Sequence, residues 1–141
     1  MDKSERALAC FKNFNCSQSV FSTFAEDFHI DRTTALKLAS GFGGGMACAE
    51  TCGAVTGAYL VIGMKHGHAV PDPEAKAATK AHIRGFNSRF AEIHGSLLCR
   101  ELLGVNISTP EGQQLARARD VFNRLCPRFI ETACKLLEDE F

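Results

Sequence analysis

Residues 41–67 read GFGGGMACAETCGAVTGAYLVIGMKHG, and the rest of the chain is interpreted around this segment. It is rich in glycine at its start and almost uncharged throughout. The uncharged run over residues 51–64 is shorter than the roughly 20 residues that a bilayer requires, so we interpret it as a buried core helix and not as a membrane span. The sequence therefore predicts a central helix, opened by Cys52 and preceded by a glycine-rich loop.

The glycines of this stretch have two expected roles. Three in succession are hard to place in a helix or strand, because glycine loses the most backbone freedom on ordering. They predict a loop in which the backbone approaches another group closely. Two more lie one turn apart on the predicted helix and leave room for another helix or a prosthetic group. The candidate cofactor-binding glycines are Gly43, Gly44, Gly45, Gly53 and Gly57.

Helical periodicity dominates the rest of the chain, and no alternating strand pattern is present. Helix starts are indicated by capping residues such as Asn15, and helix ends by glycines. We expect an all-α protein whose residues 1–141 form a single compact bundle of about six or seven helices. The boundary signals are Asn15 with Gln18, Asp31, Ser96, Thr109 and Cys126-Pro127 for starts, and Gly95 and Gly104 for ends.

Composition narrows the classes of function. The 141 residues carry a formal net charge of zero and no basic block, which argues against nucleic acid or an anionic membrane surface as partner. The N-terminal sequence MDKSERALACFKNF is too charged for a secretory signal, so we expect a cytoplasmic protein. There are seven cysteines. In a reducing compartment such a number indicates metal binding or redox chemistry more often than structural disulfides.

Four cysteines share one local setting, because each lies at a predicted helix start: Cys16, Cys52, Cys99 and Cys126. Unpaired N–H groups and the positive end of the helix dipole favour a thiolate there. A thiolate ligates metal, attacks a disulfide or holds an iron–sulfur cluster. No CxxC pair, CxxCH or compact ferredoxin run is present, so a shared site has to draw one cysteine from each of four distant segments.

The other three cysteines are interpreted differently. Cys10 and Cys134 lie on apolar faces and are expected to be small buried hydrophobic residues. Cys48 lies one turn before Cys52, and its role is left open. Arg100 and Glu101, beside Cys99, fit either a group that neutralises a thiolate or an exposed ion pair.

The segments NCSQSVF, ALKLASGFGGGM, CGAVTGA, SLLCRELLG and CPRFI, taken together, resemble the C_GCAxxG_C_C family of redox-active proteins. The resemblance covers nearly the whole chain, and Cys52, Gly53, Ala54 and Gly57 match the CGAxxG core. It implies a redox protein with an oxidoreductase or another electron-transfer protein as partner, and it implies an iron–sulfur cluster as a cofactor to test. Cys48 is not one of the four signature cysteines.

Three hypotheses follow for the four helix-start cysteines. In the first they converge to bind an iron–sulfur cluster, and in the second they cycle between dithiol and disulfide without metal. These two hypotheses differ at Cys52. As a cluster ligand its thiol is expected to be sheltered from solvent, whereas in disulfide exchange it has to be accessible to a partner. The third is a structural zinc site, or a partner-binding helical protein without redox turnover.

Overall fold

The computed structural model describes all residues, 1–141, and is built of α-helices. The only strand-like pairing is an isolated bridge between Thr51 and Leu98. The prediction of an all-α fold is confirmed, with eight helices in place of the expected six or seven. They are α1 (Lys3–Cys10), α2 (Cys16–Ala25), α3 (Arg32–Ala39), α4 (Gly53–His66), α5 (Pro73–His94), α6 (Cys99–Leu103), α7 (Pro110–Ala118) and α8 (Val121–Asp139).

Local capping chemistry sets most helix ends. The backbone N–H of Gln18 donates to the side chain of Asn15, and the N–H of Asn15 donates to the side chain of Gln18, both at 2.9 Å. Asp31 caps α3, because its carboxylate accepts hydrogen bonds from the N–H and the hydroxyl of Thr34. Gly95 ends α5 with a left-handed φ of 87°, which favours glycine. These predicted boundaries are confirmed.

The predicted start of the last helix at Cys126 is wrong. Helix α8 begins at Val121, so Cys126 and Pro127 lie inside it. Proline has no N–H, and the carbonyl of Asn123 therefore loses its usual donor four residues on. The helix continues through this defect because its inner face, which includes Phe129 at 5% exposure, is buried in the core.

Helix α4 occupies the centre of the bundle and packs against α2, α5 and α8. Val55, Val61 and Ile62 on this helix have no exposed surface, which confirms the predicted buried helix. The core is a single cluster of 30 buried residues with members from Ala7 to Leu137. None of the helices combines the length and the apolar character needed to cross a membrane.

Gly53 and Gly57, which we call the glycine strip, lie one turn apart on α4 and pack against the start of α2. A Cβ atom on Gly57 would lie 2.9 Å from the carbonyl oxygen of Ser17 and 3.1 Å from the Cβ of Val20. A Cβ atom on Gly53 would lie 3.1 Å from the Cβ of Cys16. The two missing side chains therefore let the first turn of α2 lie directly on α4, which brings Cys16 beside the start of that helix.

Candidate functional site

Four thiols line one cavity of about 150 Å³ that is partly open to solvent. We call it the four-cysteine cavity. Its cysteines are those singled out at predicted helix starts, and each is only 5 to 8% exposed. The structure leaves Cys10, Cys48 and Cys134 outside it. Its lining residues are Phe11, Asn15, Cys16, Gly44, Cys52, Gly53, Cys99, Leu102, Leu103, Ile107, Phe122, Cys126 and Phe129.

Cys16 is held at the first position of α2 by the residue before it. The side-chain amide of Asn15 caps this helix and also donates from Nδ2 to the carbonyl of Ser40, at 3.0 Å. Gly43 lies against this amide, and a Cβ atom on it would overlap the Asn15 side chain. The start of α2 is thereby fastened to the end of α3 and to the glycine-rich segment.

Cys52 and Cys99 are joined through the backbone. The N–H of Cys52 donates to the carbonyl of Leu97 at 2.8 Å, and the N–H of Cys99 donates to the carbonyl of Glu50 at 2.6 Å. These two bonds hold the start of α4 beside the start of α6. Helix α6 begins at Cys99, so the predicted N-cap at Ser96 lies too early in the chain.

The predicted glycine-rich loop includes a left-handed turn. Gly44 and Gly45 have φ angles of 61° and 62°, and Met46, Ala47 and Ala49 have angles of 60°, 62° and 57°. In a residue other than glycine, this conformation costs roughly 1–3 kcal/mol. The segment that carries Cys48 is therefore strained, and contacts elsewhere have to hold it in place.

Arg100 supplies those contacts. Its guanidinium donates to the carbonyl of Ala49 at 3.2 Å and pairs with the carboxylate of Glu50 at 2.9 Å. Glu101 accepts a hydrogen bond from the hydroxyl of Ser96 at 2.6 Å. Arg100 therefore fastens the left-handed turn to α6, and neither charged residue has a hydrogen bond to a thiol.

The candidate cofactor-binding glycines divide into two groups. Gly44 and Gly53 line the four-cysteine cavity. Gly43, Gly45 and Gly57 lie outside the lining, and each is packed so closely that a Cβ atom would meet a neighbouring residue. Close packing explains why glycine is needed at these three positions, whereas cofactor binding by any of the five stays a prediction.

Cys16 and Cys126 influence each other's protonation. The interaction with the Cys126 thiol raises the pKa of Cys16 well above its ordinary value, and burial raises it further. The same interaction lowers the pKa of Cys126 from its ordinary value, although burial opposes this. Cys126 is therefore the thiol of this pair that ionises first.

The other two cavity thiols are held in the protonated form. Burial raises the pKa of Cys52 to about 12, against the opposing effect of a hydrogen bond from the N–H of Ala54. Burial, with the nearby charge of Cys126, raises the pKa of Cys99 to about 11. The expectation that all four positions favour a thiolate is thus wrong, because burial outweighs the helix ends. The exception, Cys126, lies inside a helix.

The donor atoms that the cavity offers to a prosthetic group are the sulfurs of its four cysteines. No three side chains of histidine, cysteine, aspartate or glutamate are arranged to hold one metal ion. The cavity is nonetheless lined by four thiols and by no carboxylate or imidazole. All-cysteine ligation is typical of iron–sulfur clusters, which are larger than one ion. A tetrahedral zinc site would require the thiols to move together.

Cys134 and Cys10 were expected to be small buried hydrophobic residues, and Cys134 has no exposed surface. Cys10 is 7% exposed, but its Sγ lies 3.7 Å from the hydroxyl of Ser22 and 3.8 Å from the guanidinium of Arg32. The sequence did not indicate these polar neighbours. Cys48 is exposed, and its thiol donates to the carbonyl of Met46 at 3.0 Å.

Sequence reasoning missed the apolar half of the cavity. Phe122 and Phe129 lie four residues before and three residues after Cys126, which places all three on one face of α8. The sequence contains this spacing. Because the predicted helix began at Cys126, Phe122 was placed outside it, and the shared face was not predicted.

The chain was compared with protein-family models, curated proteins and solved structures. Residues 14–140 match the family model described as "Putative redox-active protein (C_GCAxxG_C_C)". Neither the curated proteins nor the solved structures gave a match to the chain. The family match covers all four cavity cysteines and nearly the whole fold. The chain therefore belongs to the C_GCAxxG_C_C family of redox-active proteins.

Proposed function

We propose that this protein is a dithiol–disulfide redox protein in which Cys126 is the attacking thiolate and Cys16 is its exchange partner. The observation that carries the proposal is that these two thiols line the same cavity, which is partly open to solvent. Their interaction raises the pKa of Cys16 and lowers the pKa of Cys126. A thiolate is the form that attacks a disulfide, and a hydrogen bond from a neighbouring thiol stabilises it. Cys16 lines the same cavity and supplies the second thiol of the exchange.

The reaction balances in two displacements. The Cys126 thiolate attacks one sulfur of a substrate disulfide, forms a mixed disulfide and releases the first substrate thiolate. That thiolate takes the proton of Cys16, directly or through solvent. The Cys16 thiolate then attacks the sulfur of Cys126 and releases the second substrate thiolate, which is protonated by water. Two electrons and two protons pass to the substrate, and a Cys16–Cys126 disulfide remains.

Cys52 and Cys99 support this division of roles. Their raised pKa values, about 12 and about 11, keep them protonated while Cys126 ionises. An oxidoreductase or another electron-transfer protein is the proposed partner that reduces the Cys16–Cys126 disulfide again. We place the cycle in the cytoplasm, where thiols are kept reduced.

A second candidate function is the binding of an iron–sulfur cluster. The observation that favours it is the arrival of four thiols from four segments at one cavity, with Cys52 sheltered at 5% exposure. Cys16, Cys52, Cys99 and Cys126 would hold the cluster. When bound, it would supply one-electron transfer at a potential set by hydrogen bonding and burial. The chain's own contribution is the apolar wall around the thiols and the backbone bonds that position them.

Assays on a single protein preparation distinguish the two candidate functions. The protein is purified without oxygen, its visible absorption is recorded, and iron, zinc, acid-labile sulfide and free thiols are assayed on the same sample. The dithiol proposal predicts a colourless protein without stoichiometric metal that loses two thiols on oxidation and regains them with reductant. Iron with sulfide and broad visible absorption would support the cluster in its place. Stoichiometric zinc in a colourless protein would support the structural alternative.

A further inference from the structure

The walls of the four-cysteine cavity contain no charge apart from its thiols. No lysine, arginine, histidine, aspartate or glutamate is among the lining residues. The side chains that surround the sulfur atoms are aromatic or aliphatic, and they come from α6, α8, the residue after α1 and the segment after α6. They are Phe11, Leu102, Leu103, Ile107, Phe122 and Phe129.

The one polar side chain of the lining other than cysteine is already fully used. The carbonyl oxygen of Asn15 accepts from the N–H of Gln18 at 2.9 Å, and its Nδ2 donates to the carbonyl of Ser40 at 3.0 Å. Releasing this amide to a ligand would uncap α2 and detach the residue before Cys16. A polar ligand therefore finds no free side-chain amide, hydroxyl or charged group in the cavity wall.

The size of the cavity sets a second limit. Its volume is about 150 Å³, and an apolar protein cavity of roughly this volume holds one benzene-sized molecule. A charged group of the same size would lose its hydration there without gaining an oppositely charged side chain as partner, which is unfavourable. The cavity therefore selects by charge as well as by size.

We propose that the substrate of the Cys16–Cys126 pair is an uncharged disulfide whose sulfur atoms carry small apolar substituents. This inference rests on the proposed dithiol function and adds the class of substrate. One substituent enters the apolar cavity beside the four thiols, and the reacting sulfur faces Cys126. With dipropyl disulfide as the probe, Cys126 displaces one propanethiol and Cys16 displaces the other, so two propanethiols and the Cys16–Cys126 disulfide are the products.

The test uses small disulfides of similar size that differ in charge. The fully reduced chain is mixed with dipropyl disulfide, cationic cystamine or anionic dithiodipropionate. The Cys16–Cys126 disulfide is then quantified by mass spectrometry after alkylation. Each rate is divided by that of the same disulfide with free mercaptoethanol, which removes differences in intrinsic reactivity. We expect the corrected rate for dipropyl disulfide to exceed both charged compounds by at least about tenfold.

A variant with a charged wall provides the matched comparison. Leu102 is half-buried on the cavity lining. Leu102→Lys should raise the corrected rate of dithiodipropionate relative to dipropyl disulfide by at least about tenfold, because the ammonium supplies the missing counter-charge. Phe11→Lys, at the residue that follows α1, serves the same purpose if the first variant loses its helical circular dichroism.

The possible results test the substrate class separately from the dithiol function. Equal corrected rates for the three disulfides in the native chain would overturn the substrate class while leaving the dithiol function in place. An unchanged ratio of the dithiodipropionate rate to the dipropyl disulfide rate in a folded lysine variant would also overturn it. Failure of all three disulfides to link Cys16 to Cys126, while the unfolded chain reacts, would overturn the dithiol function and this inference together.

Discussion

The protein has two pockets that contain cysteine, and their surroundings differ sharply. The four-cysteine cavity has thiols in apolar walls, with no charged side chain in its lining. The second pocket, of about 310 Å³, contains only Cys10 among the cysteines and is bordered by Arg6 and Arg32. Arg6 pairs with Glu26, whereas Arg32 lies against Cys10 and over the ring of Phe14.

A cation near a thiol is therefore not sufficient to identify that thiol as the one that takes part in redox exchange. In the four-cysteine cavity, a second thiol favours the thiolate, since the interaction with Cys16 lowers the pKa of Cys126. The same second thiol is available for disulfide formation, which an arginine is not. Cys10 has a guanidinium at 3.8 Å but shares its pocket with no other cysteine. We therefore expect redox exchange in the first pocket only.

The largest expected effect comes from changing one cysteine in each pocket. Cys126→Ser should slow oxidation by dipropyl disulfide by at least about a hundredfold, because the attacking thiolate is removed. Cys10→Ser should leave the rate within about twofold of the original, since that thiol is not part of the pair. Loss of total thiols over time provides the measurement. Equal losses of rate in the two variants would remove the distinction between the pockets.

A smaller effect is expected from the close contact that builds the four-cysteine cavity. Gly57→Ala should destabilise the fold by about 1–3 kcal/mol, because its Cβ atom would meet Ser17 and Val20. Gly63→Ala is the matched control on the same helix, where nothing lies within 4 Å of the added atom. It should stabilise the fold by roughly 0.5–1 kcal/mol. Urea unfolding followed by circular dichroism measures both changes.

If both alanine variants changed the free energy of unfolding by the same amount, α2 would not pack closely against Gly57. If Gly57→Ala folds, it should also slow formation of the Cys16–Cys126 disulfide, because α2 carries Cys16. Alkylation of Cys48, which is exposed and lies outside this contact, should keep its original rate. A change in the Cys48 rate without a change in the Cys16–Cys126 rate would contradict the role of Gly57 in placing Cys16.

The smallest effect is a shift in the pH dependence of one thiol. Alkylation of Cys126 by iodoacetamide requires the thiolate, so its rate should rise with pH through a midpoint below that of an ordinary cysteine thiol. Cys16→Ala removes the interacting thiol, and the midpoint should move upward. Cys52→Ala is the control, because Cys52 is not among the groups that lower this pKa. A midpoint that stays fixed in Cys16→Ala would show that Cys16 does not stabilise the thiolate.

Helix boundaries could be predicted wherever one residue and its near neighbours decide them. The capping box of Asn15 and the left-handed Gly95 are of this kind, because their hydrogen bonds and φ angles are local. The start of α8 failed this rule. Asp120 precedes it in a left-handed conformation and makes no side-chain cap, so Cys126-Pro127 gave the stronger but misleading signal.

The candidate site could be predicted only in part. The local setting of the cysteines separated the four that line the cavity from Cys10 and Cys134. The pairing of Cys16 with Cys126 depends on how α2 and α8 pack, and nothing near either residue in the chain encodes it. The left-handed conformations of Met46 and Ala47 are likewise imposed by contacts, since local preference would assign such angles to glycine.

The most direct test of the central claim is a map of the first disulfide that forms in the native protein. The reduced, metal-free chain is treated with less than one equivalent of dipropyl disulfide, alkylated, digested and examined by mass spectrometry. The dithiol proposal predicts a disulfide bond between Cys16 and Cys126, with Cys10 and Cys134 recovered as alkylated thiols. A first disulfide that contains Cys10 or Cys134, or that joins Cys52 to Cys99 and leaves Cys126 alkylated, would contradict it.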